Sequence, residues 1–531
     1  MKEAERTSTA GETVSERIRT ESAGEYSLPD YRPEIRRILA VDTRVLPSGS
    51  YRRAGRAEHA GVCVHTVLYA GEDGSLASFE VTTEYGYSFS VPEDAVCASP
   101  PPSVESVSCR LTSPRRVSLR ASLTATPRVT PAPKYGDDPE GLLSESGVHV
   151  ARQPITLLTS SVLTEEGVRC RGTVQAPGSL EVLLVRAKPT AVRAETEGGR
   201  IAFSGEVAVT VLAKGNGRLP ETVNIAIPFE ASLSAEALPP AEQTVARAYV
   251  TALDLGCAPN DTGGTAFTAE LALTLEAEVI YRREISPIID LFSVKTPLKC
   301  RRETVGISET VKIEEHECKV EAAISRTESD SEEALAVIDT SARFIPLGIE
   351  RGEGELTLSG NLQIESALAL GASDPDGRLG HMALGFSQAV TLTLPVPPSL
   401  SDAEPEAEVT VVSVSGRLES QAYLASALLS VSIRYTRHRH FTLVVGAERA
   451  GEDYPPLPSA ELVAVYPLDG DSLFSLARRY RVSPEALASE NALPESALAD
   501  ATLPSSLDGR ACLTVSYLGA VADKCASDAE N

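Results

Sequence analysis

The tetrad Gly470-Asp471-Ser472-Leu473 sets a serine hydroxyl beside a carboxylate. Such a serine becomes an acyl-transfer nucleophile only when a base stands within hydrogen-bond reach. The last histidine, His440, precedes the tetrad, and 59 residues follow Ser472. The spacing therefore favours a helix cap over a nucleophile. His438-Arg439-His440 places two imidazoles on one face of a strand, a spacing that can serve a metal. Arg437 and Arg439 interleave with them and oppose a further cation. His316 and Cys318 share a face in the same way, with no third ligand in view. There is no P-loop, no Gly-x-Gly-x-x-Gly opening a helix and no His-Glu-x-x-His. These motifs predict no catalytic residue, no metal site and no cofactor.

The elements that carry these residues follow from composition and period. The chain has 531 residues, enough for three or four domains. Its 49 basic and 74 acidic residues give a net charge of −25. That balance argues against general nucleic-acid binding and against docking to an anionic membrane through charge. Hydrophobic residues make up 42%, ordinary for a globular chain, and tryptophan is absent, so the cores must be built from Val, Leu, Ile and Ala. The opening residues lack an apolar signal region and no run approaches 18 apolar residues. The expectation is a chain that stays in the cytoplasm, inserts in no membrane and keeps its nine cysteines reduced. The 74 acids are expected to solvate exposed strand faces.

Between residues 36 and 446 the pattern alternates with period two. Leu271, Leu273, Leu275, Ala277, Val279 and Tyr281 lie on one face of a run, with Thr274, Glu276 and Glu278 on the other. This predicts a half-buried antiparallel strand. Blocks of this kind recur. Gly205 follows Ile201-Ala-Phe-Ser, Gly360 follows Leu356-Thr-Leu-Ser, and Gly61 occupies the same place in His59-Ala-Gly61-Val. The three glycines are spaced 144 and 155 residues apart, and each block is followed by a strand with an aromatic, Tyr85, Phe229 or Phe386. A period of that length matches a complete β-sandwich, and the glycine marks a bulge or a close backbone approach. Proline-rich or acidic stretches at 127–139, 328–333 and 446–459 read as connectors. Arg36-Arg37, Arg115-Arg116, Arg282-Arg283 and Arg301-Arg302 read as outward ion pairs or contacts to an acidic neighbour.

Beyond residue 460 the period changes. Leu473, Leu476, Ala477 and Tyr480 fall at helical spacing after Asp471 and Ser472, and Ser483-Pro484-Glu485 opens a second helix. Short strands at 463–465 and 512–515 flank them, giving β-α-α-β. With Val482-Ser483 and Asn491-Ala492-Leu493, these residues resemble a LysM domain. The resemblance implies a groove between the loop before the first helix and the loop after the second, with Gly470, Asp471, Ser472, Leu473, Asn491 and Leu493 beside its ligand. LysM domains usually bind N-acetylglucosamine chains of peptidoglycan or chitin. The family's closing segment departs here to Leu507-Asp-Gly-Arg-Ala-Cys-Leu513, after a Ser/Ala-rich insert.

The preceding chain resembles SPOCS repeats, through Leu28-Pro-Asp-Tyr-Arg-Pro-Glu-Ile-Arg-Arg-Ile-Leu39, Val67-Leu-Tyr-Ala-Gly-Glu-Asp73, Ser113-Pro-Arg-Arg-Val-Ser-Leu-Arg-Ala121 and Asp290-Leu-Phe-Ser293. SPOCS repeats followed by one LysM are the layout of the SipL-like family of spore coat morphogenetic proteins. The expected fold is mainly β: three tandem antiparallel β-sandwich-like domains plus a small C-terminal β-α-α-β domain. The divisions are 1–27, a polar segment or a strand of the first sandwich; 28–135, 150–290 and 294–446, the three SPOCS-like domains; 447–459, a linker; 460–517, the LysM; and 518–531, a tail. The resemblance implies a non-catalytic scaffold in the mother-cell cytoplasm, holding a SpoIVA-like coat ATPase through its LysM end. The alternative it leaves open is a peptidoglycan-binding lectin of wall or cortex.

Overall fold

The computed structural model describes residues 13–131, 147–215, 219–235, 238–261, 263–326, 334–372, 379–455, 462–468, 470–493 and 512–516. Strands dominate them, as the alternation requires. The first segment contains β1 (Val14–Ser15), β2 (Ile18–Ser27), β3 (Ile35–Arg53), β4 (Arg56–Gly71), β5 (Leu76–Ser90), β6 (Val96–Ala98), β7 (Ser103–Ser113), β8 (Arg116–Ala125) and β9 (Arg128–Thr130). A short β10 (Val148–Arg152) leads to the second segment: β11 (Ile155–Ala176), β12 (Glu181–Glu197), β13 (Arg200–Lys214), β14 (Glu221–Ser234), β15 (Ala241–Pro259) and β16 (Thr265–Ile285). After β17 (Ile288–Ser293) come β18 (Leu298–Ser325), β19 (Ala334–Arg351), β20 (Glu355–Ala372), β21 (Leu379–Pro395), β22 (Glu404–Leu418) and β23 (Ala422–Arg449).

Each segment pairs six of its strands in the same order. Three consecutive strands form one antiparallel sheet: β3-β4-β5, β12-β13-β14 and β19-β20-β21. The strands before and after them form a second, ordered β2-β8-β7, β11-β16-β15 and β18-β23-β22. The first strand of each unit thus pairs with its last, and Ile18–Ser27 joins the first unit. One apolar cluster spans both sheets of the second unit, with Phe203, Val207 and Ile227 facing Phe267, Leu271 and Leu273. A matching cluster spans the third.

The core of the first unit is divided in two. A buried polar chain is present there: Thr43 Oγ1 and Thr83 Oγ1 lie 2.9 and 2.8 Å from the two ring nitrogens of His65, and Ser22 Oγ lies 2.5 Å from Thr83. Residues 144 later the second unit carries Val209 and Ile227 in place of His65 and Thr83.

The repeated glycines are close-approach sites. A Cβ on Gly205 would lie 2.6 Å from the Phe229 ring, and one on Gly61 would meet the Tyr85 ring and the Leu46 carbonyl. Gly61 pairs with Tyr85 and Gly205 with Phe229. The third unit departs from this expectation. Phe386 pairs with Ile364, four positions away, and the ring over Gly360 is Phe344 from the preceding strand. In each case an aromatic covers the bare backbone.

The three units meet at a shared centre. Leu68, Leu212 and Ala367, spaced 144 and 155 residues apart, join Leu39, Leu183 and Ile338 in one buried cluster. Arg186 of the second unit fastens it. Its Nε donates to Asp42 of the first at 2.7 Å, and its Nη1 and Nη2 donate to Asp339 of the third at 2.6 and 2.8 Å. Between the second and third units, Gln243 donates to the Ile313 carbonyl at 2.6 Å and accepts its N–H at 3.1 Å.

A further contact between units corrects the half-buried reading of β16. Its inward face is buried as expected, but Glu276 and Glu278 on the other face are 8% and 2% exposed. Arg434 of the third unit donates to both oxygens of Glu278, and Arg128 of the first stands 3.7 Å away. Burial pushes the Glu278 carboxyl up, but hydrogen bonds from Arg434 and the surrounding arginine charges outweigh it and hold it below the usual range. Not every acid therefore solvates a strand face.

Part of the 127–139 connector is strand: β9 pairs with both β1 and β6. Residues 132–139 of that connector, the stretch 328–333, residues 1–12, the 494–511 insert, Cys525 and the tail lie outside the described residues. The other eight cysteines are free thiols. No helix among the described residues is long and apolar enough to cross a membrane.

Candidate functional site

The C-terminal unit consists of β24 (Leu462–Val465), α1 (Leu473–Tyr480), α2 (Pro484–Glu490) and β25 (Leu513–Ser516), with β24 antiparallel to β25. Gly470 occupies φ +90°, a left-handed turn that a side chain would strain. This turn brings Asp471 back onto the loop. Its carboxylate accepts the Leu468 N–H at 3.0 Å and two hydrogen bonds from Arg479 at 2.8 and 3.2 Å. The Leu468 amide, with the Arg479 and Ser475 hydrogen bonds and the Arg479 charge, holds that carboxyl below its ordinary value against the opposing effect of burial.

Ser472 caps α1. Its Oγ accepts the Ser475 N–H at 3.0 Å, and Ser475 Oγ accepts the Ser472 N–H at 3.0 Å, a reciprocal capping box. The hydroxyl of the Gly-Asp-Ser-Leu tetrad is spent on the helix, as its position suggested. Leu473 is buried with Leu476, Ala477 and Leu487. Asn491 ends α2 and is buried: its Nδ2 donates to the Leu487 and Thr514 carbonyls at 2.8 and 2.7 Å, and its Oδ1 accepts the Thr514 N–H at 2.7 Å. It staples the second helix to β25. Leu493 packs half-buried on the same core.

The six residues named from sequence thus belong to one small unit but differ in what they offer. Asp471, Leu473 and Asn491 are turned inward and hold the loops. Gly470 is exposed, and Ser472 and Leu493 are half-exposed. Two residues that sequence reasoning passed over are wide open: Tyr466 and Leu468, 67% and 68% exposed, flank Pro467 in the loop before α1. The signal was available, since two large apolar residues stand there outside both the strand alternation and the helix stripe.

The C-terminal unit is seated on the segment joining the second and third six-strand units. β10 pairs with β17, and the ring of Phe292 in β17 enters the C-terminal core, edge-on to Phe474 with centroids 5.0 Å apart. Asp290 accepts from Arg478 at 2.9 Å and also pairs with Arg302, an outward ion pair made by one arginine of a predicted doublet. Asp453 accepts the Thr296 hydroxyl at 2.6 Å, and the Arg481 guanidinium lies 4.9 Å over the Tyr454 ring.

His438 lies 3.0 Å from Ser308 Oγ and 3.5 Å from Glu404, and His316 lies 3.8 Å from Glu314. No group of three or more His, Cys, Asp or Glu placed to hold a metal occurs among the described residues.

No protein-family model matches the chain, and a comparison with curated proteins returns no match. Among solved structures, the crystal structure of Pseudomonas aeruginosa OccK9 (OpdG) aligns with 80% of this chain and 98% of that chain at 10% identity. The TM-score is 0.12.

Proposed function

We propose that this chain is a non-catalytic scaffold of the SipL-like class: three SPOCS-like β-sandwich domains followed by a LysM domain. In this reading it works in the mother-cell cytoplasm at the forespore surface and holds a SpoIVA-like coat ATPase through the LysM loops. The observation that carries it is the order of parts. One six-strand topology occurs three times and is followed by a β-α-α-β unit capped by Asp471 and Ser472. Gly470, Ser472 and Leu493, with Tyr466 and Leu468 beside them, form the contact face, while Asp471, Leu473 and Asn491 keep it in shape. A repeated scaffold also gains avidity from linked weak contacts.

The test is a pull-down from sporulating cells with the full chain and with Tyr466→Ser/Leu468→Ser. Co-purification of a coat ATPase with the first and its loss with the second supports the reading. Retention of the intact chain on peptidoglycan beads, with no ATPase recovered, replaces it with the lectin reading.

A further inference from the structure

The first unit breaks the regularity of the other two at one place. The strands β15 and β22 run unbroken beside their partners, whereas the equivalent strand of the first unit is split into β6 and β7 by Pro100-Pro101-Pro102. Three prolines supply no N–H to the ladder and cannot continue it. Where they leave the sheet, a cavity of 600 Å³ opens between the first and second units. That volume lies within the range of small-ligand pockets.

One wall of this cavity is aromatic. The His59 ring stacks on Tyr87 with centroids 5.1 Å apart, and the Tyr87 hydroxyl lies 3.0 Å from Ser99 Oγ. The opposite wall comes from the second unit and is acidic. Glu276 is nine-tenths buried, and its nearest counter-charge, Arg247, comes only to 3.6 Å and is shared with Glu278. Beside it the Tyr249 hydroxyl is fully buried and has no hydrogen-bond partner among the described residues. An orphaned polar atom at that depth costs free energy until something bonds to it. Glu166 adds a second negative charge at the rim. Among the described residues of the lining the one permanent cation, Arg52, is turned to the carbonyls of Pro92, Glu93 and Ala95.

We infer that this cavity binds an alkylammonium group, with its charge on Glu276 and the Tyr249 oxygen and its methylene stem along the Tyr87 wall. An anion would face two carboxylates, and a neutral alcohol would leave Glu276 short of a counter-ion. An ammonium has three donors, enough for both polar partners, and a cation near aromatic faces is favourable. The same chemistry is offered by a free polyamine and by a lysine side chain of another protein.

The test is isothermal titration of the full chain with cadaverine, with Nα-acetyl-lysine N-methylamide and with 1-pentanol. Both amines are expected to bind and the alcohol not to. Tighter binding of the lysine amide assigns the site to a protein partner, and tighter binding of cadaverine to a free polyamine. Glu276→Gln is expected to weaken amine binding at least tenfold, the loss of one charge-assisted hydrogen bond. Thr164→Trp, at an exposed strand position on the cavity rim, is expected to block the site while leaving the fold intact. No binding by either amine at millimolar concentration, equal binding of 1-pentanol, or unchanged binding in both variants overturns the assignment.

Discussion

Arg186→Met tests whether the three units are held as one body. The guanidinium makes three charge-assisted hydrogen bonds to two carboxylates from two other units, and the side chains of Arg186, Asp42 and Asp339 are 19%, 16% and 10% exposed. Removing it leaves Asp42 and Asp339 without their hydrogen-bonded counter-ion, with Lys188 the charge that remains near Asp42. Breaking one side of a buried pair costs about 3–5 kcal/mol, and the partial exposure here selects the lower bound, about 3 kcal/mol. A cooperative block of this size shifts by about 2 °C per kcal/mol, so the melting point should fall by roughly 6 °C. Calorimetry and urea titration measure both quantities. Adding Asp42→Asn and Asp339→Asn to Arg186→Met removes the stranded charges and should restore about half of the loss. Such coupling is what a mutant cycle isolates. A cost below about 0.5 kcal/mol, or further destabilisation by the two asparagines, would refute the argument that Arg186 ties the units together.

Phe292→Ala should free the C-terminal unit. Its ring is 5% exposed inside that unit's core, and truncation of such a residue costs about 3–5 kcal/mol. Limited proteolysis near Tyr454-Pro455 should accelerate at least tenfold, and an unchanged rate would show that the seat does not depend on this ring. Gly205→Ala forces a Cβ to 2.6 Å from the Phe229 ring and 3.2 Å from the Val192 Cα, so it should cost about 1–3 kcal/mol. The same substitution in a Phe229→Leu background should cost less, as read by urea midpoints, and equal costs would exclude the close approach. Stability should also fall as pH drops. His65 is fully buried, and burial holds its imidazole below the ordinary value of 6.5. The unfolded chain therefore binds a proton that the folded chain resists. The contribution is complete above pH 6.5 and declines as the pH falls below it. Glu278 acts in the same direction at lower pH: its contribution is present above its model-compound value of 4.5 and is lost as pH falls through its depressed folded value. Melting temperatures from pH 7.5 to 5 should decline more steeply in the parent than in His65→Asn, and a rising trend would contradict the His65 assignment.

The period-two pattern was a sound guide to the strands, because alternation records which side chains leave water. Val409–Leu418 and Val117–Ala125 fall inside β22 and β8 as the sequence suggests. The caps of α1 and α2 were equally legible, since Ser472 and Ser483 act on amides three residues away. What alternation does not record is a second burial from another unit. Glu276 and Glu278 look like solvent-facing partners of Leu275 and Ala277, and only distant arginines, Arg434 156 residues beyond Glu278 together with Arg128 and Arg247, give Glu278 a reason to be buried. The seat of the C-terminal unit was hidden for the same reason. Ile288-Ile-Asp-Leu-Phe292 is visibly apolar, but nothing local says that Phe474 will meet it. Phe386 shows the converse limit, because equal spacing along the chain did not give it the same neighbour as Phe229.

Arg186 and Asp339 are separated by 153 positions in the chain. At translation rates of about 5–20 residues per second, the second carboxylate leaves the ribosome about ten to thirty seconds after the arginine. Once residue 285 has emerged, and until the third unit follows, the nascent protein holds two finished units whose apolar centre, around Leu39, Leu68, Leu183 and Leu212, has no third wall. Each unit closes through its own first and last strands and need not wait, but the centre must. Chaperone occupancy on ribosome-bound intermediates should therefore peak after residue 285 and drop once β20 has emerged, and premature stops in that window should yield inclusion bodies instead of shorter soluble products.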